Sequence, residues 1–195
     1  MMKQLKGTRT AENLMKSFAG ESQARMRYTF YAKTARNEGY QQIAEIFLET
    51  AENERMHAKL FYKHLVAVMN GEPVSIQAAY PVALDTTVNN LGYAAEGEKE
   101  EWSSLYPEFA RVADEEGFPE IARTFRSIAT VEKRHEARYR KLLANVTQQQ
   151  VFKKERKVLW KCRECGFIFE GTAAPDKCPV CEHPQDYFEV FIENY

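Results

Sequence analysis

Two Glu-x-x-His pairs, Glu54-Arg-Met-His57 and Glu132-Lys-Arg-His135, constrain this chain more than any other feature. Each lies in a long stretch whose apolar residues recur at threes and fours, the period of a helix buried along one side. Residues three apart share a helix face, so each pair can hold one metal ion from one side. Each pair is preceded, at 33 or 34 residues, by a single glutamate on the same kind of stripe, Glu21 and Glu98. The lone glutamates are 77 apart and the pairs 78 apart, the mark of an internal duplication. Six ligands from four helices then converge on one core.

Taken in order, the chain predicts a first helix from about Arg9 to Glu38, with Leu14, Phe18, Glu21, Arg25, Tyr28, Ala32 and Ala35 on its inner stripe. Gly39 reads as its C-terminal cap. A second helix from near Tyr40 carries Ile43, Phe47, Thr50, Glu54, His57, Phe61, Leu65 and Val68 inward and ends at Asn70-Gly71. The short loop between the two makes them antiparallel neighbours. Residues 72–86, with Pro73 and Pro81, are long for a connection inside a compact domain and read as a crossover. Asp85, Thr86 and Thr87 are N-cap candidates for a third helix with Leu91, Ala94, Glu98, Glu101, Leu105, Phe109 and Val112 inward, which Pro107 should disturb. Gly117-Phe-Pro119 caps it and starts a fourth helix carrying Ile121, Phe125, Ile128, Glu132, His135, Tyr139 and Leu142. Four helices with one long middle connection are the layout of a ferritin-like four-helix bundle, so the fold expected is mainly α.

A single helical glutamate is usually solvated surface. Glu45, Glu49, Glu52, Glu96 and Glu136 fall off the stripes and are assigned there. Glu21, Glu54, Glu98, Glu101 and Glu132 fall where core residues belong, and five unpaired carboxylates in one core would each cost about several kcal/mol or stay protonated. Cations remove that problem. A mixed carboxylate and imidazole set without sulfur suits iron or manganese and leaves zinc open. A minimal dimetal site needs one glutamate from each of two helices and a Glu-x-x-His from each of the others, so Glu101, three residues from Glu98, is a surplus ligand. Tyr28 and Tyr106 sit near the predicted site, where a phenol can hydrogen-bond a carboxylate. His64 is too far along its helix from His57 to share a metal, and it and His183 read as structural or exposed.

All four cysteines fall in the last 34 residues, as Cys162-Arg-Glu-Cys165 and Cys178-Pro-Val-Cys181. Two Cys-x-x-Cys pairs twelve residues apart form a four-thiolate signature for zinc or iron. Some forty residues cannot be held by an apolar core alone, so a metal staple is expected. Val158–Lys161, Phe167–Glu170 and Tyr187–Ile192 read as its short strands. The domains expected are residues 1–148 as bundle, 149–157 as linker and 158–195 as metal-stapled β domain. Lys plus Arg (27) and Asp plus Glu (28) nearly cancel, which argues against a nucleic-acid partner. No stretch is long and apolar enough for a membrane, and no secretory signal is evident, so the expected compartment is the cytoplasm, whose reducing chemistry also favours metal over disulfide at the cysteines.

The segments Cys162-Arg-Glu-Cys-Gly-Phe-Ile-Phe-Glu-Gly171 and Cys178-Pro-Val-Cys181 resemble the two knuckles of rubredoxin, which makes iron the better fit there. A ferritin-like bundle followed by a rubredoxin-like tail resembles the rubrerythrin family over essentially the whole chain, as do the wordings Gly20-Glu-Ser-Gln-Ala-Arg25 and Cys178-Pro-Val-Cys-Glu-His-Pro184. The resemblance implies a di-iron site of Glu21, Glu54, Glu98, Glu101, Glu132 and His135, with His57 replacing Glu101 when the pair is reduced and Tyr28 and Tyr106 close by. It implies one further iron on Cys162, Cys165, Cys178 and Cys181, although an overexpressed sample can carry zinc. The activity implied is reduction of hydrogen peroxide to water in oxidative stress defence. Electrons would come through the tail from a donor such as rubredoxin or a separate NAD(P)H-dependent reductase, in a homodimer whose tail from one subunit approaches the bundle of the other. The same ligand set could serve an oxidase using dioxygen or an iron-storage protein. A regulatory protein with a structural zinc ribbon would leave the buried carboxylates unexplained.

Overall fold

The structure, a computed structural model, describes residues 4–194; the outermost ends of the two expected domains, residues 1–3 and 195, lie outside the described residues. Helix α1 (Arg9–Asn37) starts where the Thr8 hydroxyl accepts the Ala11 amide at 3.2 Å. It ends at Gly39, whose φ of +80° lies in the left-handed region, with the Tyr40 amide donating to the Ala35 carbonyl at 2.8 Å. That return bond satisfies one of the orphaned carbonyls and turns the chain into α2 (Gln41–Met69). The same turn recurs 78 residues later at Gly117, φ +82°, where the Phe118 amide donates to Ala113 at 2.7 Å and Pro119 opens α5 (Pro119–Thr147). The duplication therefore extends to the turns.

Between the two hairpins, residues 70–86 have no regular structure, as expected for a crossover. Thr86 then caps α3 (Thr87–Glu100) by accepting the Asn89 amide. The third helix is not continuous. A π turn, Glu101–Leu105, separates α3 from α4 (Tyr106–Glu115). Pro107 is the disturbance foreseen: it has no amide to donate and its ring crowds the carbonyl four residues back, so the chain widens there.

α1 packs on α2, and α3 with α4 packs on α5, and the two hairpins face each other. One apolar cluster contains Leu14, Phe61, Leu65, Phe109, Phe125 and Ile128; a second contains Tyr28, Tyr31, Ile43, Phe47, Leu91 and Tyr139. The ionisable residues at mid-helix lie between them. Two stripe assignments differ from expectation. Arg25 is at the outer edge of α1, its guanidinium 3.0 Å from Glu52, and Val68 is exposed while Met69 takes the inner place. A long aliphatic stem lets arginine sit at a stripe's margin while its charge reaches water.

The tail is a three-stranded antiparallel sheet in the order β2-β1-β3, with β1 (Lys153–Cys162), β2 (Ile168–Ala173) and β3 (Phe188–Val190). β1 begins five residues before the expected Val158, so most of the segment read as linker is strand; Lys153 pairs with Ala173 beyond an irregularity in register. The Trp160 indole is fully buried and donates to the Gly171 carbonyl at 3.0 Å. The tail rests on the α1–α2 turn, where Gln41 donates to Asp186 at 3.2 Å and the Tyr40 and Phe152 rings stack with centroids 6.3 Å apart.

A Cβ at a left-handed position opposes the following carbonyl by roughly 1–2 kcal/mol. Gly117→Ala is therefore expected to lower the stability of the loaded protein by about that amount without changing its metal content, read from the shift of a denaturant midpoint.

Candidate metal centre

Glu54 and Glu132, from α2 and α5, form the middle of the buried layer. The Glu54 oxygens lie 2.7 Å from His57 Nδ1 and 3.1 Å from His135 Nδ1. Those of Glu132 lie 2.8 Å from each of the same two nitrogens. Each carboxylate therefore has one oxygen on each imidazole. Glu21 stands 3.9 Å from His57 on the α1 side, and Glu98 stands 3.6 Å from His135 on the α3 side. Two four-residue groups result, Glu21-Glu54-His57-Glu132 and Glu54-Glu98-Glu132-His135, all buried, the donor atoms of each within 4.8 Å of one another.

These short separations are mostly not hydrogen bonds. His135 Nδ1, both oxygens of Glu132, and one oxygen each of Glu21, Glu54 and Glu98 are buried without a hydrogen-bond partner among the described residues. The atoms converge on common points instead of aiming at one another. Six such orphans in one apolar layer fit two cations, each beside one imidazole nitrogen, with Glu54 and Glu132 spanning both.

Protonation of the metal-free side chains tells the same story. Burial and the mutual repulsion of the carboxylates hold Glu21 and Glu98 well above the ordinary carboxylate value. Burial opposes charge on the imidazoles, but contact with Glu132 and Glu54 outweighs it and pushes His57 up to about 10 and His135 up to about 12. Glu132 is also opposed by burial, yet the two histidines hold it below its ordinary value. Without metal, protons supply the positive charge that this layer requires.

Tyr28 donates its phenolic hydrogen to Glu98, and Tyr106 donates to Glu21 at 2.5 Å. The bonds cross between the halves, since Tyr28 follows Glu21 on α1 and Tyr106 follows Glu98 on the third helix. The spacings are seven residues and eight, and the extra residue belongs to the π turn. The same residue makes the second glutamate-to-pair interval 34 instead of 33 and the pair separation 78 instead of 77. Without it, Tyr106 would be rotated about 100° from its carboxylate.

Glu101 opens the π turn and belongs to neither four-residue group. It is partly exposed, unlike the other four carboxylates, and repulsion from Glu98, Glu132 and Glu54 adds to desolvation in raising it. His57 stands in the cluster where Glu101 does not. Glu136, assigned to the surface, is largely covered, accepting from the Trp102 indole at 2.6 Å and from Arg140 at 2.7 Å. Trp102 follows Glu101 in the π turn, so Glu136 buttresses that irregularity from α5; no periodicity marks such a role. His64 meets Thr124 at 3.1 Å, and His183 packs on Tyr187 with ring centroids 4.5 Å apart. Neither joins a cluster of donors among the described residues.

In the tail, Cys162, Cys165, Cys178 and Cys181 bring their sulfurs within 4.8 Å of one another, and all four are free. Cys162 to Cys181 and Cys165 to Cys178 are each 3.6 Å. A tetrahedron with metal–sulfur bonds of about 2.3 Å has edges of roughly 3.8 Å, so the spacing fits a four-thiolate site and not a disulfide. Burial opposes ionisation of Cys178, but the amides of Cys181 and Val180 aim at it and its thiol falls to about 6.

The sequence matches the family model described as Rubrerythrin over residues 12–143 and that of the rubrerythrin rubredoxin-like domain over residues 160–189. It is 64% identical to the rubrerythrin of Clostridium perfringens and 46% identical to that of Nitratidesulfovibrio vulgaris, covering the whole of each chain. A solved structure of nigerythrin in its fully reduced, all-ferrous state superimposes with a TM-score of 0.64 at 32% identity, covering 97% of this chain and 92% of that one.

The pH dependence of stability should reverse on metal loading. The raised histidines lend metal-free stability that is whole below about pH 6.5 and lost as pH climbs through their folded values. Glu21 and Glu98, also raised, weaken the fold as pH rises above about 4.5; Glu132, lowered, acts only below that. Metal binding needs these groups deprotonated, so it strengthens with pH. Thermal scans from about pH 5 to 8 should show Tm falling without metal and rising with it.

Proposed function

The chain belongs to the rubrerythrin family, and from that premise we propose that it is a non-haem di-iron peroxidase that reduces hydrogen peroxide to water in oxidative stress defence. The observation that carries this reading is the coexistence in one chain of a buried two-cation carboxylate–histidine layer and a four-thiolate site. A storage protein has little use for the second. The overall change, H2O2 + 2 H+ + 2 e− → 2 H2O, needs two electrons and two protons at one place.

Glu21, Glu54, His57, Glu98, Glu132 and His135 would hold the two irons, with Glu101, on its π turn, as the further carboxylate that would exchange with His57. Bound there, two irons would supply the two electrons that cleavage of the O–O bond requires, and Cys162, Cys165, Cys178 and Cys181 would hold a one-electron centre able to replace them. The protein's own groups manage protons and solvent. Tyr28 and Tyr106 have phenols that burial and the adjoining carboxylates keep well above their ordinary value, so each retains its proton at Oη beside Glu98 or Glu21. Each phenol donates to a carboxylate of the buried layer, so the proton at Oη is the one each pair can deliver toward that layer. The aromatic residues of the two apolar clusters keep bulk water from the layer.

The tail contacts its own bundle near Gln41, thirteen residues before Glu54. At 1.5 Å per residue that is about 20 Å along α2. This favours a homodimer in which one subunit's tail serves the partner's bundle. Electrons would reach the tail from a rubredoxin-type donor or an NAD(P)H-dependent reductase. Four free thiols suit the reducing cytoplasm.

The direct test is an anaerobic titration of the reduced protein, following return of ferric-thiolate colour. Hydrogen peroxide should restore colour at two ferric-thiolate centres or fewer per equivalent and much faster than dioxygen; faster recolouring by dioxygen would make the protein an oxidase. Co-expressing an Glu54→Ala chain with a Cys162→Ser chain should yield hybrids that regain turnover absent from either parent. Hybrids as inactive as the parents would rule out exchange of electrons between subunits.

A further inference from the structure

The crossover does not close the seam between α1 and α3. Ala79, Tyr80 and Pro81 line two adjoining cavities there, of about 390 and 170 Å3, that share Arg27, Gly97 and Glu100 and so form one groove. Its outer chamber is walled by Tyr28, Tyr31 and Tyr93; its inner chamber reaches Glu101 and Tyr106. The roof is tied down at both ends. Tyr80 donates to the Lys16 carbonyl at 2.9 Å, and Tyr31 donates to the Ala83 carbonyl at 3.0 Å.

The groove carries polar groups among its apolar ones where it nears the carboxylate layer. Arg27 Nη1 and Ser17 Oγ are buried and have no hydrogen-bond partner among the described residues. Buried polar atoms are almost always satisfied, by protein, water or ligand, so these two mark a place for small hydrogen-bonding molecules. Glu21, Glu54, Glu98 and Glu132 are at most 1% exposed, whereas Glu101 is partly open and lines the groove. Gly97 makes the room: a Cβ built there meets nothing within 4 Å. Hydrogen peroxide both donates and accepts hydrogen bonds and suits such walls; dioxygen is a poor partner for them.

We propose that this groove is the route by which peroxide reaches the carboxylate layer, and that Arg27 receives it in the inner chamber. The identity of the molecule that passes rests on the peroxidase reading; the route rests on the cavity and its walls. Arg27 and Glu101 line the same inner chamber, so one cation stands beside both the incoming molecule and the carboxylate it meets first.

The test uses the full chain loaded with cobalt(II), which does not turn over, and azide as the probe, followed by the absorption of the carboxylate-bound cobalt. Gly97→Phe should fill the groove and slow azide association at least tenfold with little change in Kd. Gly92→Phe, at a helical glycine that is equally open but outside the groove, should leave the rate unchanged. Tyr80→Ala removes the roof and should speed association, which damage to the fold would not do. Arg27→Met should raise the azide Kd about tenfold. An unchanged rate in Gly97→Phe, equal slowing in Gly92→Phe, or slowing in Tyr80→Ala would overturn the route, and an unchanged Kd in Arg27→Met would remove that residue from it. If azide obeys these expectations while the reduced iron protein prefers dioxygen to peroxide, the route stands and the peroxidase reading falls.

Discussion

The bundle depends on placing five acidic side chains and two imidazoles at mid-height in a core whose two ends are apolar. Carboxylates in such surroundings either hold protons or find cations, because uncompensated charge in a low-dielectric interior is opposed by desolvation and by its own neighbours. The layer accordingly has two self-consistent states. In one, both histidines are imidazolium and Glu21 and Glu98 are raised; in the other, metal ions replace those protons. The ladder of buried aromatic and aliphatic residues on either side sets the dielectric that makes the exchange strong.

Duplication explains most of the geometry. Each half supplies a hairpin, a lone glutamate, a Glu-x-x-His and a tyrosine, and the tyrosine of each half bonds the lone glutamate of the other. The halves differ by one residue, and that residue is accommodated as a π turn at Glu101–Leu105. There the symmetry ends: the turn gives the second half a fifth carboxylate at the edge of the layer, with Trp102 anchored on Glu136 beside it. A one-residue insertion has thereby given one metal position a neighbour that the other lacks.

The helices and their turns were legible because their burial is periodic and their ends carry chemical signals at Thr8, Gly39, Thr86 and Gly117. The six buried side chains that cluster at mid-bundle, Glu21, Glu54, His57, Glu98, Glu132 and His135, are legible because charge on a core stripe is anomalous. Arg25 departs from its stripe because a long stem blurs the stripe's edge, and the cover over Glu136 escapes the pattern because its partner Trp102 comes from another helix. The first half of β1 escapes the pattern because Lys153–Lys157 is charged on both faces of an extended chain and offers no alternation. The π turn showed only as the unequal intervals of 77 and 78. Arg27 and Ser17 left no trace in the pattern, since their significance lies in what the crossover fails to cover.

The geometry of the buried layer calls for two cations sharing Glu54 and Glu132. Anomalous scattering at the iron edge from crystals of the iron-loaded protein measures this directly. Three peaks per chain are predicted, one among the four cysteine sulfurs and two in the bundle, each near Nδ1 of His57 or His135 with both carboxylates between them. A single bundle peak, or peaks away from those nitrogens in protein that binds two irons, would contradict it.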